Sequence, residues 1–189
     1  MATKNNAANV TAGKPNVNGA FFRAPIGTAL PTDAKAELDE GFKCLGYISE
    51  DGLKHENSPS SEETKAWGGD VVASNQSEKS DKITAKFIEA TNTEVLKMVY
   101  GDDHVTGDLT SGIKVTSNAE ELPEASYVVD MVMNKTTLKR VVVPRGKVSE
   151  IAEITYADAD LVGYETTITA LPDADGNTHY EYMITKAEE

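Results

Sequence analysis

The chain has 189 residues, enough for one well-filled domain and too few for two with a linker. Its 31 acidic residues outnumber 18 basic ones, and the resulting net charge of −13 argues against a protein that grips nucleic acid phosphates. The acidity fits either a surface that repels DNA or simple solubility. The single cysteine excludes an intramolecular disulfide, and no apolar run has the length of a signal peptide or a membrane span. We therefore expect a soluble protein without Sec export and without a membrane partner.

The N-terminal part predicts an arm, a strand and a helix. Residues 1–19 are polar and lack a period, as expected of a flexible arm. Residues 20–25 turn apolar and predict a short edge strand. Thr32 is a candidate N-cap and Gly46 a candidate C-terminal stop for a short helix. Between them, apolar residues stand at helical spacing, at Leu38, Phe42 and Leu45.

A long polar stretch, residues 49–66, follows between two strand-like segments. A loop of this length in a compact domain is usually functional or disordered, so we expect a hairpin with a long protruding loop. Trp67 stands where this loop rejoins a strand. We interpret Trp67 as a core anchor at the base of the hairpin, with a hot spot in a subunit interface as the alternative.

The middle of the chain predicts a strand and then a helix. Residues 82–90 alternate between apolar and polar, as in a half-buried strand. Residues 92–101 begin with a capping asparagine, place apolar residues at positions 95, 98 and 99, and end in glycine. This pattern favours a short helix packed on the sheet over a strand.

The last third predicts five strands joined by short turns. They cover residues 127–133, 138–143, 147–156, 162–170 and 180–184, with turns at Pro144–Gly146 and at 172–177. Short connections between neighbouring strands imply antiparallel pairing and few helices. We predict a single mainly β domain, residues 20–189, an antiparallel sandwich or barrel flanked by one or two short helices.

Few residues are arranged for chemistry. Asp102, Asp103 and His104 are consecutive, so their side chains diverge, and we interpret them as a solvated turn. Residues 173–177 resemble the start of a calcium loop but lack its final acid, which favours a hairpin turn. Cys44 is interpreted as a small core residue. The three histidines, at 55, 104 and 179, stand in unrelated contexts, and we predict no enzyme, no cofactor and no metal site.

Several short segments stand in a fixed order between about residue 10 and residue 105. They are Gly13–Pro15 and residues 24–33, 45–53, 67–72, 87–89 and 99–101. In this order they resemble the major tail proteins of siphophages, whose long tails are flexible and non-contractile. The remainder of the chain is similar to that family only in its strand pattern.

The resemblance implies a structural protein of the virion tail. Six subunits would join their sheets into a ring around a continuous inner barrel, and the rings would stack into a tube. The implied partners are further copies of the chain, the tape measure protein in the lumen, and the tail terminator and tail tip proteins. DNA would pass through without specific binding. The protein would be made in the host bacterial cytoplasm, and we expect no additional immunoglobulin-like domain.

The resemblance also implies where subunits meet. In the family the N-terminal arm and the long hairpin loop commonly contact the next ring, and residues 1–19 and 49–66 are the matching segments. The predicted contact residues are Lys14, Asp51, Lys54, Glu62, Glu63, Lys65 and Trp67.

Two other functions remain as alternatives. One is a β-sandwich adhesin that recognises glycan or protein, against which the missing export signal and missing paired cysteines count. The other is a small hydrolase that uses the Asp102–His104 cluster.

Overall fold

The computed structural model of the chain describes residues 4–17, 19–134 and 136–186, which form a mainly β structure with one α-helix. The elements are β1 (Gly13–Pro15), β2 (Phe21–Pro25), β3 (Lys43–Cys44), β4 (Ile48–Lys65), β5 (Val71–Phe87), α1 (Thr93–Tyr100), β6 (Val105–Thr106), β7 (Lys114–Val115), β8 (Ala125–Met133), β9 (Thr137–Ile151), β10 (Tyr164–Leu171) and β11 (Tyr180–Thr185). All strand pairs are antiparallel. The predicted mainly β, antiparallel fold with a flanking helix is confirmed.

In the described part of the chain, nine strands form one sheet: seven follow the order β3-β2-β8-β9-β10-β5-β4, while β1 pairs with β8 and β11 with β9. β6 and β7 form a separate small pair. The centre is the long pair β8 and β9. On the edge of β8 that faces away from β9, β1 pairs with residues 131–133 and β2 pairs with residues 125–129. On the edge of β9 that faces away from β8, β11 pairs with residues 137–142 and β10 pairs with residues 145–151. The two short strands on each side therefore lie end to end.

This topology corrects two expectations for the last third of the chain. The turn at 172–177 forms, because Asp173 Oδ1 accepts hydrogen bonds from the amides of Asp175 and Asn177. The strands that it joins do not make a hairpin, however, since β10 and β11 run in line along β9. The predicted strand end at Pro144–Gly146 is also wrong, since β9 continues through it.

A bulge explains why β9 tolerates a proline. The β8–β9 register shifts between Ala125 and Tyr127, so Pro144 falls where the ladder is locally interrupted. The buried Ser126 hydroxyl donates to the Pro144 carbonyl at 2.8 Å. Gly146 is needed next to it, because a Cβ there would lie 2.7 Å from the Tyr127 ring.

Both faces of the sheet are covered by apolar groups. On one face, the Phe21 ring centroid lies 5.1 Å from that of Phe87 and 6.1 Å from that of Tyr127, in edge-to-face geometry. The buried residues of α1 join this cluster. Because successive residues of a strand point to opposite faces, Val128 and Val142 contribute to a second cluster, which Phe42 and Leu38 cover.

Helix α1 confirms its sequence signals. The Asn92 side chain accepts a hydrogen bond from the Glu94 amide at 3.0 Å, and Gly101 follows the last turn with φ of 101°. Lys97 donates to Glu94 at 2.8 Å on the outer side. Its buried residues are Val95, Leu96, Met98 and Val99.

The helix predicted between Thr32 and Gly46 is wrong. Asp33, and not Thr32, accepts hydrogen bonds from the amides two and three residues ahead, which closes a single turn. The Arg140 guanidinium then donates hydrogen bonds to the backbone carbonyls of Asp33 and Ala36, at 3.0 and 2.8 Å. A helix would need these carbonyls for its own hydrogen bonds, so a contact from a distant strand holds the segment open.

Arg140 also makes a buried ion pair. Its Nε and Nη2 donate to the two carboxylate oxygens of Asp130 at 2.6 and 2.8 Å, and the two residues are direct cross-strand partners. The N-terminal arm is likewise tied to the sheet in part, since Gly13–Pro15 pair with residues 131–133 of β8. The first three residues of the predicted arm, and residue 18, lie outside the described residues.

Candidate functional site

The feature that stands out from the body of the sheet is the hairpin of β4 and β5. The predicted hairpin is confirmed, but the residues expected to form its long loop are themselves a paired strand. β5 pairs with β10 only as far as Lys82, so from Asp81 to Val71 its only partner among the described strands is β4. At about 3.3 Å per residue this part projects roughly 35 Å.

The outer hairpin has no core of its own. Every residue from Glu56 to Lys79 is exposed, on both faces. Two register shifts, between Ser60 and Ser61 and between Thr64 and Lys65, mark bulges that raise the local twist. A two-stranded hairpin without a buried face is only marginally stable in water.

The tip of the hairpin is apolar. A tight turn closes it, with the Ala66 amide donating to the Asp70 carbonyl at 2.8 Å and two glycines at positive φ. Trp67 is fully exposed there, so the prediction that it anchors the core is wrong. Val71 and Val72 are 51% and 63% exposed beside it. The alternative interpretation of Trp67, an interface hot spot, is the one that its position leaves open.

The predicted contact residues fall into two groups. Six of them lie on the hairpin: Asp51, Lys54, Glu62, Glu63, Lys65 and Trp67, all exposed. Lys14 is exposed in β1, opposite Val132 of β8. Lys14 therefore lies on a strand that pairs with β8 and with neither strand of the hairpin.

A histidine and aspartate cluster lies at the root of the hairpin. His55 Nε2 is 2.8 Å from Asp81 Oδ1, and His179 Nδ1 is 2.6 Å from Asp81 Oδ2. The Thr178 hydroxyl also donates to Oδ2. Burial favours the neutral acid, but the hydrogen bonds from Thr178, His55 and His179 outweigh it, and the pKa of Asp81 falls below its ordinary value. The three histidines stand in unrelated sequence contexts, and the fold brings His55 and His179 together around Asp81.

The chain matches one family model along nearly its whole length. The model is described as phage tail tube protein, and it covers residues 1–188. The chain belongs to the phage tail tube protein family. A comparison with curated proteins finds no match. As a member of this family the protein is a structural component of the virion tail that assembles with its own copies into a tube, and it is not an enzyme.

The other candidate groups have structural partners in this tail tube protein. Asp102 accepts two hydrogen bonds of 2.7 Å from Arg23, and this contact, helped by the guanidinium charge, lowers the pKa of Asp102. His104 Nε2 lies 2.9 Å from Glu120. Cys44 is half-buried in β3, and not in a helix as expected. Among the described residues, no helix combines the length and apolar character needed to cross a bilayer.

Proposed function

We propose that this tail tube protein forms hexameric rings that stack into the tube, and that the β4–β5 hairpin is the contact between successive rings. The observation that carries the proposal is the outer hairpin itself. Its two strands are paired along their length, both of its faces are exposed to solvent, and the exposed Trp67 lies at its tip. An apolar tip on an arm of roughly 35 Å fits a socket on another subunit.

The free edge of the sheet supports contacts within a ring. β4 ends the strand order and pairs with β5 alone in the described part of the chain. A long unpaired edge is a template for another strand, and a neighbouring subunit would complete it. We infer that neighbouring sheets join here into the continuous inner wall.

The acidic charge supports the remaining parts of the proposal. With a net charge of −13, the tube lumen would repel DNA phosphates at short range and let the genome pass without specific binding. During assembly the lumen would hold the tape measure protein, and the tube would end at the terminator and tip proteins. The subunits would be made in the cytoplasm of the bacterial host.

A shortened hairpin tests the role in stacking. Residues 60–78 are removed, and Pro59 is joined to Lys79 through Asn-Gly, because the two residues are cross-strand partners and Asn-Gly closes two-residue hairpins. We expect circular dichroism and the thermal midpoint to stay near wild type, since the excised part packs against no core. Negative-stain microscopy should show tubes for the wild type and none for the shortened protein.

The matched control keeps the hairpin length and alters exposed ladder residues, with Ser60→Thr and Ser74→Thr together. This variant should form normal tubes. Ordinary tubes from the shortened protein would exclude the hairpin as the stacking contact. An antibody against the chain should label a phage tail along its whole length, and labelling confined to the tip would contradict the role as the tube subunit.

A further inference from the structure

The cluster at the hairpin root joins three separate parts of the chain. His55 lies on β4, Asp81 on β5, and His179 in the connection that leads into β11. Asp81 is 2% exposed, while the His55 and His179 side chains are 20% and 14% exposed. A buried carboxylate therefore sits between two imidazoles that still reach solvent.

The donor set has the chemistry of a transition-metal site. One ligand atom from each of the three residues lies within 4.8 Å of the other two. Imidazole nitrogen and carboxylate oxygen bind Zn²⁺ at about 2.0–2.2 Å, which places tetrahedral ligand atoms roughly 3.3 Å apart. The two nitrogens already lie at hydrogen-bond distance from the carboxylate. Small side-chain shifts would bring all three atoms to coordination distance.

The surroundings suit a bound metal as well. The Thr178 hydroxyl donates to Asp81 Oδ2 and fixes the carboxylate, as outer partners of metal ligands do. The two imidazoles cross at 74° with centroids 4.7 Å apart, and one nitrogen of each ring lies at hydrogen-bond distance from the Asp81 carboxylate. The partial exposure of both histidine side chains gives a metal ion access from solvent, and a water molecule would serve as the fourth ligand.

We propose that His55, Asp81 and His179 bind one Zn²⁺ or a similar divalent transition metal with an open fourth position. The metal would replace the hydrogen bonds between Asp81 and the two histidines and clamp the root of the hairpin to the β10–β11 connection. This inference is independent of the stacking proposal, because it concerns a site within a single chain. Its consequence is a stiffer base for the projecting arm.

Titration calorimetry of the chelator-treated full chain with ZnCl₂ tests the site. We expect one Zn²⁺ per chain. Even loss of an outer partner commonly costs about 10–100-fold in metal affinity, so His55→Ala or His179→Ala should weaken binding by at least about tenfold. His104→Ala is the matched control, because it removes the third histidine, which pairs with Glu120 elsewhere, and should bind like wild type.

A second measurement needs no variant and protects the test against misfolding. Histidine ring resonances of the wild-type protein are followed by NMR as Zn²⁺ is added, and those of two histidines should move together while the third stays. The moving pair is assigned as His55 and His179 by the variants that fold. Binding lost only in His104→Ala, equal movement of all three rings, or no binding by the wild-type chain would each overturn the proposal.

Discussion

Replacement of Trp67, the tryptophan at the hairpin tip, by alanine gives the sharpest test of how the tube is held together. Trp67 is fully exposed in the single chain, so Trp67→Ala should change the free energy of unfolding by no more than about 0.5 kcal/mol. In a subunit contact the same side chain would bury about 200 Å², worth roughly 5 kcal/mol at about 25 cal/mol per Å². Truncation of interface tryptophans commonly costs about 2–4 kcal/mol.

This loss of binding free energy would raise the protein concentration at which tubes form. Each 1.4 kcal/mol is about tenfold in an equilibrium constant, so the critical concentration for tubes should rise by about 30-fold to 700-fold. Sedimentation over a concentration series measures it. Because the chain has one tryptophan, wild-type fluorescence reports the same event, and its emission should move to shorter wavelength as tubes form.

The control for this prediction is another exposed apolar residue away from the hairpin. Leu109 is 71% exposed in the loop before β7, and Leu109→Ala should leave the critical concentration near wild type. The reasoning fails if Trp67→Ala assembles at the wild-type concentration, or if tryptophan emission in finished tubes still reports full exposure to water.

Three further predictions concern the body of the sheet. Arg140→Ala should destabilise the chain by about 3–5 kcal/mol in urea unfolding, because it leaves the buried Asp130 carboxylate without its partner. Asp102→Asn should cost about 0.5–1 kcal/mol near pH 7, since the pair with Arg23 is half exposed at the carboxylate. The folded pKa of Asp102 lies below its unfolded value of about 4, so this stabilisation is present above pH 4 and disappears as pH falls through the folded pKa. Gly146→Ala should cost about 1–3 kcal/mol, because the new methyl meets the buried tyrosine ring that faces it.

Each of these has an outcome that would contradict it. An Arg140→Ala cost below 1 kcal/mol would mean that water reaches Asp130. A constant difference between wild type and Asp102→Asn from pH 7 to pH 2 would separate the effect from ionisation. Gly146→Ala with wild-type stability would show that the facing ring moves aside freely.

Sequence patterns predicted correctly the strands and the helix that are determined by residues close together in the chain. Alternation over Lys82–Phe87 gives a half-buried strand, because side chains of successive residues point to opposite faces of the sheet. Asn92 and Gly101 bound α1 because an N-cap side chain and a glycine at positive φ act within one turn. These signals carry to the structure almost unchanged.

The errors arise where distant groups decide. Nothing near Asp33 shows that Arg140, more than a hundred residues away, takes the carbonyls that a helix would use. Polar residues 49–66 carry no strand period, and only pairing with β5 makes them a strand. His55, Asp81 and His179 likewise meet through register and an in-line strand pair, which no spacing in the sequence reveals.

The body and the hairpin are stabilised by different means, and this difference bears on function. The body has apolar clusters on both faces of its sheet and a buried ion pair, so it folds on its own contacts. The outer hairpin has only its backbone ladder and exposed side chains, and a ladder of two strands is marginal in water. The order of the outer hairpin should therefore respond most strongly to assembly. Amide hydrogen exchange at residues 57–80 should be fast in the single chain and slow in the tube. Exchange in β8 and β9 should be slow in both states. Equal exchange of the hairpin in both states would mean that neighbouring subunits do not hold it.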